Sequence, residues 1–316
     1  MSEKKLISIC IPVLNEAGNV NILVTKLMAL CDEYSKKYDF ELVFSDNDSD
    51  DETWSKIREL GLEEKRIKAI KFSKNVGFQR SIFMNYKFSL GDAVIQMDAD
   101  LQDPVEMISE FIEKWEAGYD VIYGIRRDRD ECKSMIFLRK LGYWTIDKLS
   151  VSSIPRDAGD FRLLDRRVVD TLLQYKSPDP YIRGIIATLG FNQLGVPYAR
   201  VSRKSGNSKF GMTNLIKLGL SGIFEHSAIP LRLGTYLGTF ALLLSGLLST
   251  YYVYLKFSTP DLPQGLASLH ILVLAGIGLI SFLLGLIGEY LLKIYKILLG
   301  EPMAVVVEKI NLEHRF

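Results

Sequence analysis

Over the first 125 residues, short apolar runs alternate with amphipathic stretches. Leu6–Val13, Glu41–Ser45, Ile67–Phe72, Ala93–Met97 and Asp120–Gly124 are rich in Val, Ile and Phe, and each predicts a strand. Between them, Asn19–Lys37, Asp51–Leu60, Phe78–Leu90 and Pro104–Ala117 repeat their apolar residues at helical spacing. That alternation predicts a doubly wound, mostly parallel α/β sheet with helices on both faces. Ligands of such sheets lie beyond the carboxyl ends of the strands. Pro12–Glu16, Asp46–Asp51 and Asp98–Asp103 fall there. After Arg126 the pattern loosens. A helix over Ser134–Ser150 is expected, then the segment Asp157–Leu164, a helix over Arg166–Tyr175, and a loop marked by Pro178 and Pro180 before another short helix.

The last third reads differently. Between Arg232 and Lys256 lie 23 residues without a formal charge, and between Asp261 and Glu289 lie 27 more, neutral apart from His270. Either run exceeds the roughly 20 residues that cross a hydrocarbon core of about 30 Å. Tyr251, Tyr252 and Tyr254 cluster at one end, where an aromatic belt belongs. A pair of buried core helices is the competing reading, and two such runs side by side argue against it. Arg200, Arg203, Lys204, Lys209, Lys217 and Arg232 precede the first run, and Lys293 and Lys296 follow the second. Basic residues mark the cytoplasmic side, so both termini are expected there. Leu215–Phe224 is amphipathic and reads as an interfacial helix, with a solvated basic loop as the alternative. The expected organisation is a catalytic domain over 1–205, an interfacial segment over 206–230, spans over 231–256 and 262–290, and a tail over 291–316.

A formal charge of +1 argues against a nucleic-acid binder. Cys10, Cys31 and Cys132 are too few and too scattered for a disulfide framework or a zinc site. The start of the chain lacks the pattern of a signal peptide.

The chemistry concentrates where strands end. Ala93–Met97 runs directly into Asp98, Asp100 and Asp103, with Gln102 between. Clustered carboxylates at a sheet edge need solvent, counter-charges or a metal. Hard oxygen ligands of this kind suit Mg²⁺ or Mn²⁺ held against a diphosphate. An acidic turn ahead of a helix that begins at Pro104 explains the same residues. Asp46, Asp48, Asp50 and Asp51 follow the second strand, more acids than helix capping needs. Asn75-Val76-Gly77 opens a helix whose free N–H groups suit a phosphate, although both types are also ordinary turn residues. Arg126, Arg127, Arg129, Lys133, Arg139 and Lys140 form a basic set after the fifth strand, either a diphosphate grip or a solvated helix face.

Together these pieces resemble family 2 glycosyltransferases, and within them the polyprenyl-phosphate branch. The matching residues are Ile11-Pro12-Val13-Leu14-Asn15-Glu16, Asp46-Asn47-Asp48-Ser49 through Thr53, and Asn75-Val76-Gly77 with Gln79. Met97 through Pro104, Gly159-Asp160-Phe161-Arg162-Leu163, Ser208-Lys209-Phe210-Gly211 and the tail from Glu301-Pro302 to Val307 complete the set. Order and spacing agree over essentially the whole chain. One departure stands out: the family has two adjacent aspartates and then Gly-Ser in its second motif, where this chain has Asn47 and Asp48 at the second aspartate and the glycine.

The resemblance implies a GT-A fold and an inverting transfer from a nucleotide sugar to a membrane polyprenyl phosphate. The setting it implies is the cytosolic leaflet of a bacterial inner membrane. Pro12, Asn15, Glu16, Asp46, Asn47, Asn75, Gly77, Gln79 and Asp98 would line the nucleotide-sugar pocket. Asp98, Asp100 and Gln102 would hold Mg²⁺ or Mn²⁺. Arg126, Arg139, Arg162 and Lys209 would meet phosphates. Asp157, with Asp160 second, would be the base-like carboxylate near the acceptor. Glucose from UDP-glucose is favoured, with mannose from GDP-mannose as the alternative. A processive polysaccharide synthase would need a Gln-x-x-Arg-Trp element, and Trp54, Trp115 and Trp144 do not sit in one. A transporter would want charge inside its spans, which these lack; a scaffold would not need Asp98, Asp100 and Gln102. Met303–Val307 reads as an exposed strand able to pair with a second copy of the chain.

Overall fold

A computed structural model describes residues 4–127, 158–199, 265–300 and 302–312, with scattered positions between 236 and 258. The Ser134–Ser150 helix, the interfacial segment and most of the first uncharged run lie outside the described residues. The chain divides into two compact units, 1–215 with 301–316, and 216–300.

The first unit is an eight-stranded mixed sheet. Its strands are β1 (Lys5–Val13), β2 (Tyr38–Asp46), β3 (Ile67–Phe72), β4 (Ala93–Gln96), β5 (Val121–Arg127), β6 (Ala158–Asp165), β7 (Gln193–Ala199) and β8 (Val306–Ile310), in the order β7-β5-β6-β4-β1-β2-β3-β8. The four predicted strands β1 to β4 pair in parallel, β1 between β2 and β4 and β3 beyond β2. Farther along, β6 runs antiparallel between β4 and β5, while β5 and β7 are parallel.

Alternation along β1 builds two cores. Ile7, Ile9, Ile11 and Val13 face α1 (Val20–Glu33), α2 (Thr53–Glu63) and α4 (Met107–Glu116), while Cys10 faces the other side. There Val43 and Val94 join α3 (Phe78–Phe88), α5 (Arg166–Leu173) and α6 (Ile182–Thr188). Period-two alternation with both faces covered is what an apolar parallel strand requires. Each fully buried Ile or Leu contributes about 1.5–3 kcal/mol.

β6 was not legible as a strand because Asp160 and Arg162 sit inside it. Its other positions behave normally, with Phe161 and Leu163 in one core and Leu164 in the other. Asp165 then caps α5 with no intervening loop, accepting from Arg167 N at 3.0 Å and from Trp115 Nε1 at 2.8 Å.

The tail is the clearest difference from expectation. The strand expected over Met303–Val307 is Val306–Ile310, and it pairs antiparallel with β3 of its own chain. Asn311 Nδ2 donates to Gly61 O at 2.6 Å and to Ile67 O at 2.9 Å, fixing the end of the strand. The edge of β3 is therefore covered within the chain, which removes the reason given above for pairing through this segment with a second copy.

In the second unit, α7 (Leu266–Leu299) is a continuous helix of 34 residues ending at Gly300, whose φ of 61° is left-handed. Several of its side chains fall outside the described residues. Among those described, no helix is long and apolar enough to cross a membrane. Leu269, Ile280, Phe282 and Leu284 are each more than half exposed.

Candidate active site

Three loops leave the carboxyl ends of β1, β2 and β4, and each contains one non-glycine residue with positive φ: Asn15 (55°), Asp48 (64°) and Leu101 (59°). Asn and Asp tolerate this region; Leu does not, and its cost is about 1–2 kcal/mol. Backbone strain gathered on one sheet edge is a signature of a functional site. Asp48, in the position where the family has glycine, takes the conformation that glycine adopts most easily.

The first two loops are laced together. Asn15 N donates to Ser49 Oγ at 2.9 Å, and Asp50 N donates to Asn15 Oδ1 at 2.8 Å. Glu16 N donates to Thr53 Oγ1 at 2.8 Å, and Asn19 Nδ2 donates to a Glu16 carboxylate oxygen at 2.6 Å. Pro12 is on β1 itself, beside Ser45 of β2. Asp46 is fully buried. Its Oδ1 accepts from Ser49 N at 3.2 Å, whereas Oδ2 is buried with no hydrogen-bond partner among the described residues. Burial raises its pKa against the opposing hydrogen bonds of Ser49. A buried acceptor without a donor is what a ligand N–H or O–H would satisfy.

Asn47 explains its own departure from the family pattern. Its Oδ1 accepts from Val76 N at 2.8 Å while its Nδ2 donates to Asn75 Oδ1 at 3.0 Å. An ionised aspartate, the family's residue here, could accept from Val76 N but could not donate to Asn75. Asn75 Oδ1 also accepts from Gly77 N at 2.9 Å, and Gly77 has a φ of 90° at the start of α3. Gln79 is occupied differently: its Oε1 accepts from Ile182 N at 3.2 Å, tying α3 to α6.

The acidic cluster forms the other half of the site. Extending the β4–β6 register two residues beyond Gln96 and Arg162 sets Asp98 level with Asp160. Asp98 is partly buried, and its Oδ1 is buried without a hydrogen-bond partner among the described residues. Burial first, then the charges of Asp103, Asp160 and Asp100, push its pKa up to about 7 against the opposing charge of Arg126. Asp100 is buried and accepts from Gln102 N at 3.2 Å. Asp103 accepts from the Tyr198 hydroxyl at 2.5 Å, and Arg126 Nε donates to the same hydroxyl at 3.4 Å. Arg126 also lies against Gly159, where an added Cβ would meet its Nη2 at 3.3 Å.

Among the described residues, no three His, Cys, Asp or Glu side chains form a ready-made metal cage. The donor set nonetheless fits a hard divalent cation. Asp98 offers an unsatisfied buried oxygen, and Asp100 and Gln102 supply further oxygens on the same loop.

Two expected residues take unexpected places. Asp160 is buried and bidentate with Arg183, whose Nε donates to Oδ1 at 2.7 Å and whose Nη2 donates to Oδ2. Burial alone would raise its pKa, but Arg183, Arg162 and Arg126 outweigh that and bring it down to about 2. So firmly ionised a carboxylate is a weak base at neutral pH. Arg162 is 4% exposed, donates to Gly159 O at 2.8 Å and stands 3.7 Å from Asp160 Oδ1. That position inside the sheet does not suit the phosphate contact expected of it. Asp157, Arg139 and Lys209 lie outside the described residues. Sequence reasoning missed Arg183 and Tyr198, which come from segments without a motif.

The sequence model for "Glycosyl transferase family 2" matches residues 8–173. An uncharacterised glycosyltransferase of Bacillus subtilis, YkcC, is 35% identical over 100% of this chain and 97% of its own length. The bactoprenol glucosyl transferase of Shigella phage SfX is 35% identical over 92% of this chain and 94% of its own. A solved mannosyltransferase of Pyrobaculum calidifontis, in complex with GDP-Man and Mn²⁺, covers 90% of this chain and 88% of its own at 16% identity and a TM-score of 0.45.

Proposed function

The chain belongs to glycosyl transferase family 2, and from that premise we propose that it moves glucose from UDP-glucose onto the phosphate of a membrane polyprenyl phosphate. The observation that carries this reading is the pairing of full-length similarity to bactoprenol glucosyl transferases with two buried, unsatisfied carboxylate oxygens, on Asp46 and Asp98, at the carboxyl edge of the sheet. In this reading Asp46 takes a donor N–H or O–H of the nucleoside. Asn15, Glu16, Asn47 and Asn75 hold the two loops around it, with Pro12 and Gly77 shaping their ends.

Asp98, Asp100 and Gln102 would hold Mg²⁺ or Mn²⁺ against the diphosphate. The bound cation would neutralise charge developing on the leaving nucleoside diphosphate. Arg126, kept in place by Tyr198, faces the same charge. An acceptor phosphate oxygen forms the new bond to the anomeric carbon as the bond from that carbon to the diphosphate breaks, with inversion. The second pKa of a phosphate monoester is about 6, so the acceptor is already mostly dianionic at neutral pH. Asp157 therefore orients the acceptor more than it removes a proton.

The uncharged stretches 233–255 and 262–288 act as the membrane hairpin in this reading, with both termini in the cytoplasm of a bacterial cell. Full-length enzyme in membranes, given radiolabelled UDP-glucose, GDP-mannose and undecaprenyl phosphate with Mn²⁺, tests it. Label from UDP-glucose in solvent-extractable lipid supports the proposal. Label from GDP-mannose alone changes the sugar; label in polymer points to a synthase; label in neither removes the activity.

A further inference from the structure

Away from the acidic edge, three segments distant in sequence enclose a cleft of about 470 Å³. Its floor is apolar. Phe83 and Met84 come from the second half of α3, Leu173 from the end of α5, and Pro302, Met303 and Ala304 from the tail that leads into β8. Lys87, Tyr175 and Lys176 complete the lining, and all three are exposed. The walls are fastened in place. Met84, Met303 and Ala304 cluster with Ile70 and Phe72 of β3. Ser73 N donates to Val305 O at 3.0 Å, tying the tail to the end of β3. Arg80 Nε donates to Asp179 Oδ1 at 2.9 Å, tying α3 to the loop after α5.

Two lysines and no acid line the cleft, so it suits an anion. The apolar floor makes that anion an amphiphile, because an inorganic phosphate gains nothing from Phe83 or Met303. A second copy of the chain is a poor occupant, since a two-fold contact would bring like-charged rims together. Position narrows the choice further. Pro302 follows Gly300, where α7 ends, by two residues, and two residues span at most about 7 Å. The closing turns of α7 set Lys293 and Lys296 among Ile294, Tyr295, Ile297 and Leu298, a mixture that settles at lipid headgroups. An acceptor role does not suit the cleft. Between the parallel strands β3 and β4, α3 runs back from the carboxyl edge, and Lys87 is ten residues beyond Gly77, about 15 Å of helix.

We propose that this cleft binds an anionic phospholipid of the cytosolic leaflet, Lys87 and Lys176 attracting the headgroup phosphate while the floor covers the upper acyl segment. The occupant follows from the membrane hairpin proposed above for 233–255 and 262–288, on which this inference rests. The catalytic unit then meets the lipid surface through its own side chains as well as through its anchor.

The test uses full-length enzyme in neutral detergent with trace phosphatidylglycerol or phosphatidylcholine, each carrying a diazirine on its upper acyl chain, and maps the cross-linked peptides by mass spectrometry. UDP binding checks the fold of each variant. Phosphatidylglycerol is expected to label the peptides containing Phe83–Lys87 and Pro302–Ala304. Lys87→Gln or Lys176→Gln should each lower that labelling about fivefold, and the double variant about 25-fold, with labelling of 266–299 unchanged. Label on 266–299 without label in the cleft overturns the lipid site and leaves the hairpin standing. Cleft labelling that persists in the double variant, or that phosphatidylcholine matches, overturns it too. Displacement of the probe by decaprenyl phosphate but not by phosphatidylglycerol gives the cleft to the acceptor instead. Amine cross-links joining Lys87 or Lys176 of two copies, with no lipid label there, give it to self-association. Label on neither the cleft nor 266–299 removes the hairpin and the lipid site together.

Discussion

Replacing Asp98 by asparagine should stabilise the metal-free enzyme at alkaline pH while abolishing its activity. The folded chain holds Asp98 at about 7 against an ordinary value of 3.8, a gap of about three pH units. Between those values the unfolded chain has lost the proton and the folded chain keeps it. Stability therefore falls as pH rises through the window, and above pH 7 the whole penalty is present. At 1.36 kcal/mol per pH unit the penalty reaches about 4 kcal/mol. Part of Asp98 still reaches solvent, so that figure is an upper bound. Asparagine has nearly the same shape and nothing to ionise. Urea unfolding of full-length enzyme with excess chelator, followed through tryptophan fluorescence, should find the two proteins equal near pH 4 and Asp98→Asn more stable by about 2–4 kcal/mol at pH 8. Equal or lower stability of Asp98→Asn at pH 8 would refute the electrostatic account of this edge.

Asp100→Ala should lose Mn²⁺-dependent turnover by at least a hundredfold while keeping its fold, read by transfer assay and circular dichroism; wild-type turnover would remove it from the metal set. Asn47→Asp replaces the donor that faces Asn75 Oδ1 with a carboxylate oxygen, at a cost of about 1–3 kcal/mol in stability and a weaker hold on UDP; calorimetry showing unchanged UDP affinity would count against the loop clamp. Asn311→Ala should cost about 2–4 kcal/mol, combining two lost bonds to Gly61 and Ile67 with a left-handed φ of 51°, and Asn311→Gly should spare the backbone share of about 1 kcal/mol. Thermal unfolding of the two variants separates these contributions. A catalytic fragment ending at residue 205 should aggregate because it lacks β8 and bares the edge of β3, and a monomeric elution profile would contradict this.

The parallel half of the sheet was readable because nothing there competes with periodicity. Ile7, Ile9 and Ile11 alternate with the other face of a strand buried on both sides, and α1 and α4 repeat their apolar residues along one stripe. β6 was not readable, since Asp160 and Arg162 are legible as core residues only once Arg183 is known to stand beside them. Their charges cancel in three dimensions and stay bare in one. β8 was placed within three residues, but the sequence cannot say whose edge a strand will cover. The acidic motif after β4 announced the site and Arg126 was named with it, whereas Tyr198 on β7 and Arg183 on α6 reach it through topology alone.

Among the described residues, the acids along that edge outnumber the arginines by one. Asp98, Asp100, Asp103 and Asp160 face Arg126, Arg162 and Arg183. Two of those arginines answer Asp160, and Arg126 is shared through Tyr198 with Asp103. The charge of Arg126 also opposes that of Asp98. Here the Asp160 fork and the Gln79 tie hold Arg183 where it is. The buried, unsatisfied oxygen of Asp98 costs stability and suits a cation. Relieving the penalty at Asp98 should stabilise the metal-free fold at the expense of turnover.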